Sequence, residues 1–190
     1  MPLEGGPRDY AAGVTIAAGN YVVHVLPGHF SIYRQLASTA KLVDELDLRQ
    51  GDGRPCSFTV SERSRTLVVG TFRYELRGGL GPAVALVPEA HTLFIGAGEE
   101  IFCYDLSAPS RLWHDTADTG LWGWDVVRDT VLMSAELEFA AWDQAGKKLW
   151  STFVEPPWSY QVDGDHVSLD VMGNISRFEY RVGPQRALEP

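Results

Sequence analysis

The stretch from residue 114 to residue 125 has the densest set of side chains that could bind a ligand or take part in a reaction. It combines an imidazole, two carboxylates and two indoles, which belong to His114, Asp115, Asp118, Trp122 and Trp124. Ligand pockets pair flat apolar walls with a few polar groups, and this stretch offers both. It predicts a ligand-binding site, and the competing interpretation is a polar loop beside two packing tryptophans.

A second aromatic group follows one repeat later. Trp158 and Tyr160 stand 36 residues after the two indoles, and Glu155 precedes them. Such repetition is typical of side chains that pack between repeated elements. Aromatic rings on adjacent strands could also form a stacking platform for a sugar or another flat ligand, with Glu155 and Asp118 as hydrogen-bond acceptors.

Catalysis has weaker signals. The local signatures of serine hydrolases, phosphate-binding loops, zinc proteases and paired-cysteine sites are absent from the sequence. A hydrolase-type enzyme is an alternative if its site is assembled from separate strands, and its candidates are His114, Asp115, Asp118 and Glu155. The segment Asp163–Asp165 is predicted as a hairpin turn rather than a cation site. We predict no cofactor and no metal centre.

An internal repeat predicts the elements that position these side chains. Residues 92–113 match residues 130–150, with an offset of 38 over most of their length. In both copies β-branched and aromatic residues alternate with small or polar ones between turn residues, which predicts three strands. A further strand precedes each copy, over 83–87 and 121–127. Each repeat therefore has four strands.

The repeat extends along the chain and predicts an all-β fold, a small β-propeller-like repeat of four-stranded antiparallel sheets in one domain over residues 1–190. Stacked sheets cover each other's faces and leave short edges. About five units are predicted, near residues 11–49, 52–81, 82–117, 118–156 and 157–190. An open solenoid of sheets, or a ring completed by a second chain, is the alternative.

The outer units are less regular than the repeated pair. The first unit includes predicted strands over 21–26, 30–33 and 41–44. A short helix is the alternative to the last of these strands, along Leu36, Ala40, Val43 and Asp47. The second unit is predicted to be shortened, because the segment that begins at Thr66 precedes the matching segment that begins at Thr92 by only 26 residues. The last unit has three predicted strands, and residues near Leu3 could donate its fourth.

The segment from Ala140 to Trp150 resembles the blade motif of pyrroloquinoline-quinone-type β-propellers, in which an Ala-Leu-Asp segment leads through a Gly-Lys turn to a terminal tryptophan. Residues 104–113 are a looser copy. The resemblance implies a fold rather than an activity, and it implies packing roles for Trp113 and Trp150. The quinone-dependent enzymes carry a vicinal cysteine pair and calcium ligands. This sequence has no adjacent cysteines, which disfavours a quinone dehydrogenase.

Charge and cysteine content limit the partners. Sixteen Lys and Arg against twenty-five Asp and Glu give a net charge of −9, which disfavours nucleic acid and membrane surfaces. The first residues lack an export signal, so a cytoplasmic location is expected. Cys56 and Cys103 are predicted to be free core thiols. We expect a ligand-binding or protein-interaction module, monomeric or homodimeric, with a protein or small-molecule partner. An oligomeric scaffold is a further alternative.

Overall fold

Stacked β-sheets are the main structure of the described part of the protein. The computed structural model describes residues 13–28, 33–46, 53–75 and 81–185. Within these residues sixteen strands form four sheets, and helical structure is limited to α1 (Tyr33–Ala37) and a 3-10 turn over Pro88–Ala90. Neither helix has the length and apolar character needed to cross a membrane. The predicted all-β, propeller-like architecture of repeated antiparallel sheets is confirmed.

The second and third sheets are the two copies of the predicted repeat. The second sheet consists, in spatial order, of β6 (Ala83–Val87), β7 (Thr92–Ala97), β8 (Glu100–Asp105) and β9 (Ser110–Thr116). The third consists of β10 (Leu121–Val127), β11 (Thr130–Ala135), β12 (Glu138–Asp143) and β13 (Lys148–Phe153). All neighbouring strands are antiparallel. The chain then crosses from the last strand of one sheet to the first strand of the next.

The first sheet differs from the expectation. Residues assigned to two units, near 11–49 and 52–81, form one five-stranded sheet in the order β1-β2-β4-β5-β3. Its strands are β1 (Val14–Ala18), β2 (Tyr21–Pro27), β3 (Leu42–Glu45), β4 (Arg54–Glu62) and β5 (Arg65–Tyr74). The described residues thus contain four sheets where about five units were expected.

An insertion explains this merger. α1 and β3 lie in sequence between β2 and β4, yet β2 and β4 are directly hydrogen-bonded, with Tyr21 opposite Glu62. The inserted segment changes the spacing of the strands, so the offset of 38 cannot apply here. The strand predicted over 41–44 is confirmed as β3, but it lies parallel to β5 at the sheet edge. Tyr33, the predicted end of a strand over 30–33, begins α1 instead, and residues 30–32 lie outside the described ranges.

The fourth sheet has the three strands that the sequence predicted. They are β14 (Trp158–Asp163), β15 (His166–Val171) and β16 (Asn174–Glu179), in that order. The segment Asp163–Asp165 contains the turn between β14 and β15, and Gly164 has a φ of 60° there. This confirms the predicted hairpin. The residues near Leu3 that could donate a fourth strand lie outside the described ranges.

Apolar clusters join each sheet to the next one in the chain. Phe58 and Tyr104 belong to the cluster between the first and second sheets, Phe94 and Trp142 to the next, and Phe139 to the last. Among the described residues no cluster joins the fourth sheet to the first. The outward face of the fourth sheet is mostly polar, with Ser159, Gln161, Asp163, His166, Ser168 and Asp170. A polar outer face is typical of the end of a repeat array. Among the described residues the apolar clusters therefore join the four sheets in chain order.

Two equivalent tryptophans fix each sheet to the next. The indole N–H of Trp113 on β9 donates to the carbonyl of Gly146, 2.5 Å away in the β12–β13 turn. The indole N–H of Trp150 on β13 donates to the carbonyl of Tyr180, 2.6 Å away just after β16. These contacts agree with the packing roles expected of both side chains.

Aspartates at the ends of equivalent strands hold the turns that follow them. Asp105 accepts hydrogen bonds from turn amides at 2.7 and 3.3 Å, and Asp143 accepts one from the amide of Lys147 at 2.8 Å. The aspartate carboxylate in this position accepts hydrogen bonds from turn N–H groups that have no partner in a neighbouring strand. Both predicted thiols are buried and free.

Candidate functional site

The two indoles predicted to line one pocket lie on opposite faces of the third sheet. Trp124 packs between the second and third sheets, with its ring centroid 5.5 Å from those of Phe94 and Trp142. A β-bulge between Leu121 and Gly123 interrupts the alternation of side chains. Trp122 therefore faces the fourth sheet. The structure does not bring Trp122 and Trp124 together.

The aromatic side chains between the third and fourth sheets pack against each other. Trp122 stacks on Trp158 with centroids 5.4 Å apart and planes at 13°, and Trp158 lies 6.3 Å from Tyr160. Phe139 lies beneath Trp158 and Tyr160, at 5.4 and 4.6 Å. Trp122 and Trp158 therefore each have one ring face covered by the other.

Polar contacts fix this aromatic group in place. The indole N–H of Trp158 donates to the carbonyl of Glu136 at 3.1 Å, and the hydroxyl of Tyr160 donates to Asp125. Burial, followed by the hydrogen bond to Asp125, raises the pKa of Tyr160. Asp125 is therefore the carboxylate that contacts these rings, whereas Glu155 and Asp118 were predicted as acceptors for a ligand. Glu155 is exposed in the segment between β13 and β14.

His114 and Asp115 lie on β9, the strand of the second sheet farthest from β6. The Nε2 atom of His114 is 2.5 Å from Oε2 of Glu100. Asp115 accepts a hydrogen bond from Nζ of Lys148 at 2.7 Å. Burial pushes the pKa of Asp115 upward, but hydrogen bonds from Lys148 and a backbone amide outweigh it and lower the pKa. A general acid needs a raised pKa, so Asp115 is unsuited to that role.

A groove between the second and third sheets contains Asp118, the remaining predicted residue. It has a volume of about 430 Å³ and is lined by the β7–β8 turn, the β9–β10 loop and the adjacent ends of β12 and β13. Its carboxylates belong to Glu99, Asp118 and Glu138. No Lys or Arg is among the described residues that line it. The charged side chains that line the groove are therefore all negative.

Glu138 is the most firmly held carboxylate of the groove. Its side chain is 12% exposed, and its two oxygens accept hydrogen bonds from the backbone N–H of Asp118 at 3.2 Å and from the Ser151 hydroxyl at 2.5 Å. These bonds orient the carboxylate without neutralising it. Lys148 is 3.9 Å from Glu138, but its closer ion pair is with Asp115.

Phe153 adds an apolar side to the groove. It ends β13 opposite Glu138 on β12 and is 63% exposed. A large aromatic ring with this exposure beside fixed carboxylates is typical of a surface that meets a partner. The groove can therefore accept a cationic group and an apolar group side by side.

Comparisons with known proteins give distant structural likenesses. No protein-family model and no curated protein matches the sequence. The computationally designed Ika4 protein has 12% identity and a TM-score of 0.46, and the match covers 94% of this chain and 95% of Ika4. The β-propeller domain of the Trilobed protease from Pyrococcus furiosus has 11% identity and a TM-score of 0.46, over 85% of this chain and 48% of that one.

A third neighbour is BamB from Moraxella catarrhalis, with 15% identity and a TM-score of 0.38, over 88% of this chain and 60% of BamB. The chain thus spans about half the length of the protease propeller domain and under two thirds of BamB. Likenesses at this level carry no information about ligand or activity.

Sequence reasoning missed Glu99, Glu138 and Phe153. A signal for Phe153 is present, because it lies three residues after the packing Trp150 and alternation places it on the opposite face of β13. Glu138 has a signal as well, since the offset of 38 aligns it with Glu100 on β8. Within the described ranges, no three His, Cys, Asp or Glu side chains are grouped as metal ligands would be.

Proposed function

We propose that the protein is an interaction module that binds a basic, partly apolar segment of a partner protein in the groove between the second and third sheets. One observation carries the proposal: the exposed Phe153 ring lies beside three carboxylates with no lining Lys or Arg among the described residues. Propeller-like sheets supply a rigid frame, so the groove is present before a partner arrives.

The chemistry of the groove favours an Arg or Lys side chain next to a hydrophobic one. A cation entering the groove would be attracted by the carboxylates of Glu99, Asp118 and Glu138. The Glu138 carboxylate is already oriented by its two hydrogen bonds. A neighbouring apolar side chain would cover Phe153 and remove its surface from water. Attraction between charges at the surface weakens with salt, so binding is expected to weaken as ionic strength rises.

Selection from a random peptide library displayed on phage tests this function. We expect the full chain to enrich peptides in which Arg or Lys adjoins an aliphatic or aromatic residue. The selected peptides should lose at least about ten-fold in affinity, or about 1.4 kcal/mol, for Phe153→Ser and for Glu99→Gln. Glu99 is chosen because it has no role in holding Glu138.

The matched control is Val43→Ser, which removes another exposed apolar side chain, 43% exposed, from the first sheet. It should bind the selected peptides as the wild type does. Peptides without basic residues, or peptides whose affinity is equal for the wild type and both groove variants, would contradict the proposal. Loss of binding in all three variants would also contradict it, because the site would then lie elsewhere.

The hydrolase-type alternative has less support, because His114 and Asp115 are each paired with a charged neighbour. For the finer class of the repeats, we propose blades of the pyrroloquinoline-quinone type, supported by the Ala140–Trp150 segment and the packing of its tryptophan. A cytoplasmic location is proposed as well, supported by the free thiols of Cys56 and Cys103.

A further inference from the structure

The last strand, β16, has a free edge. It pairs with β15 on one side, and no other described strand lies on its far side. In the second and third sheets this place is filled by β9 and β13. Unpaired strand edges present N–H and C=O groups that readily pair with another chain. The edge of β16 is thus a place where a strand can be added.

The hydrogen-bond pattern shows which backbone groups face this edge. The N–H of Tyr180 donates to the carbonyl of Asp165, so this opposed pair is hydrogen-bonded. Pairs alternate along an antiparallel ladder, so the even-numbered residues of β16 bond to β15. Ile175, Arg177 and Glu179 therefore direct their backbone groups away from the sheet. The carbonyl of Glu179 already accepts two turn amides, at 3.0 and 2.9 Å.

Exposed apolar side chains concentrate at the same edge. Ile175 is 73% exposed, Met172 in the preceding turn is 59% exposed and Val182 in the following turn is 56% exposed. A groove of about 380 Å³ runs beside β16, between the strand and residues 182–185. Apolar exposure next to unpaired backbone groups is what strand-mediated association buries.

We propose that two copies of the protein pair through β16, antiparallel and across a two-fold axis at Arg177. In this register each Arg177 bonds through its backbone to Arg177 of the second copy, and each Glu179 N–H donates to the Ile175 carbonyl of the second copy. The same register brings Met172 of each copy towards Val182 of the other. The contact is self-complementary and closed, as a two-fold dimer requires.

Charge at the axis is compatible with this pairing. Two arginines directly opposite each other would repel. Each Arg177, however, is 3.4 Å from Asp163 of its own copy, and the Asp163 side chain is 85% exposed. The axis would therefore carry two positive and two negative charges that can alternate. The joined sheets would have six strands, with the polar outward faces of both copies on the same side.

Light scattering of the full chain over a range of concentrations tests the dimer, whose mass is twice 21.0 kDa. Arg177→Pro removes the edge-facing N–H but no bond to β15, and proline is accepted on edge strands. It should raise the dissociation constant at least about ten-fold, since two backbone hydrogen bonds are lost. Arg177→Thr retains the N–H and is the matched control, which should stay dimeric.

A cysteine test fixes the register and does not depend on the proline variant folding. Under oxidation Arg177→Cys should form a covalent dimer, because the two positions face each other within disulfide reach. Ile175→Cys should not, because its counterpart is Glu179. The native Cys56 and Cys103 have no exposed surface and do not interfere.

Three outcomes would overturn the dimer proposal. The first is a wild type that stays monomeric, which would mean that another part of the same chain covers the edge. The second is a dimer that Arg177→Pro leaves intact. The third is equal cross-linking of the Arg177→Cys and Ile175→Cys variants. Peptide binding in the groove between the second and third sheets is independent of all three.

Discussion

The same substitution at two tryptophans of one interface should have unequal effects. Trp113 and Trp124 both contact Phe94 and Trp142, at centroid distances of 5.5 to 5.9 Å. The indole N–H of Trp113 donates to the carbonyl of Gly146. The indole N–H of Trp124 is buried and has no hydrogen-bond partner among the described residues. Replacing each by phenylalanine separates the hydrogen bond from the packing.

The magnitudes follow from these contacts. Both variants lose a similar apolar area, so this loss cancels in the comparison. Trp113→Phe also strands the buried carbonyl of Gly146, at a cost of about 1–3 kcal/mol. Trp124→Phe removes an N–H whose burial already costs about 1–3 kcal/mol. The free energy of unfolding should therefore be about 2–6 kcal/mol lower for Trp113→Phe than for Trp124→Phe, because the cost in one variant and the relief in the other add. For a chain of this length the melting temperatures should differ by about 10 °C.

Urea unfolding followed by far-ultraviolet circular dichroism measures this difference, with thermal unfolding as a second probe. The free energy of unfolding must fall with urea concentration at the same slope in both variants, so that their midpoints can be compared. Equal destabilisation, or a larger loss for Trp124→Phe, would refute the reasoning, because the indole contact with the Gly146 carbonyl would then not connect the sheets.

Two further predictions concern the core. Gly96→Ala should lower the free energy of unfolding by about 1–3 kcal/mol, because its new methyl group would lie 2.6 Å from the carbonyl oxygen of Glu100. Gly123→Ala is the control, because a methyl group there has no atom within 4 Å, and it should change stability by less than about 1 kcal/mol. Equal effects of the two substitutions in urea titrations would contradict this prediction. Burial raises the pKa of Cys56 to about 12 and also raises that of Cys103. Both thiols should resist a thiol reagent at pH 8 until the protein unfolds, and rapid labelling of the native protein would refute this. The raised thiol pKa of Cys56 should make stability fall as pH rises from about 9 towards 12. Cys56→Ala should make this slope shallower without abolishing it, because Cys103 contributes as well.

The sequence predicts the fold best where the chain repeats without insertions. Strands β7, β8, β11 and β12 were located by their offset of 38. The first sheet was divided in two because α1 and β3 interrupt the pairing of β2 with β4. That pairing joins residues 21 and 62, and no local pattern reports so distant a contact.

The candidate site was less predictable, because it depends on where side chains point. Trp122 and Trp124 are two residues apart, which in a regular strand places them on one face. The bulge at Trp122 separates them, and nothing in the sequence marks it before the structure is known. The groove of Glu99, Asp118, Glu138 and Phe153 brings together residues from four segments, and a search along the chain cannot show their proximity.

The linear order of the three apolar clusters has a consequence for how the protein opens. Among the described residues each sheet shares an apolar cluster with its neighbours in the chain alone, so the two end sheets each have one supporting partner and the middle two have two. Local unfolding should therefore begin at the ends and move inward. Amide hydrogens of β7, β8, β11 and β12 should exchange last. The groove between the second and third sheets lies in this slowest-opening part, whereas β16 lies where transient opening is most frequent.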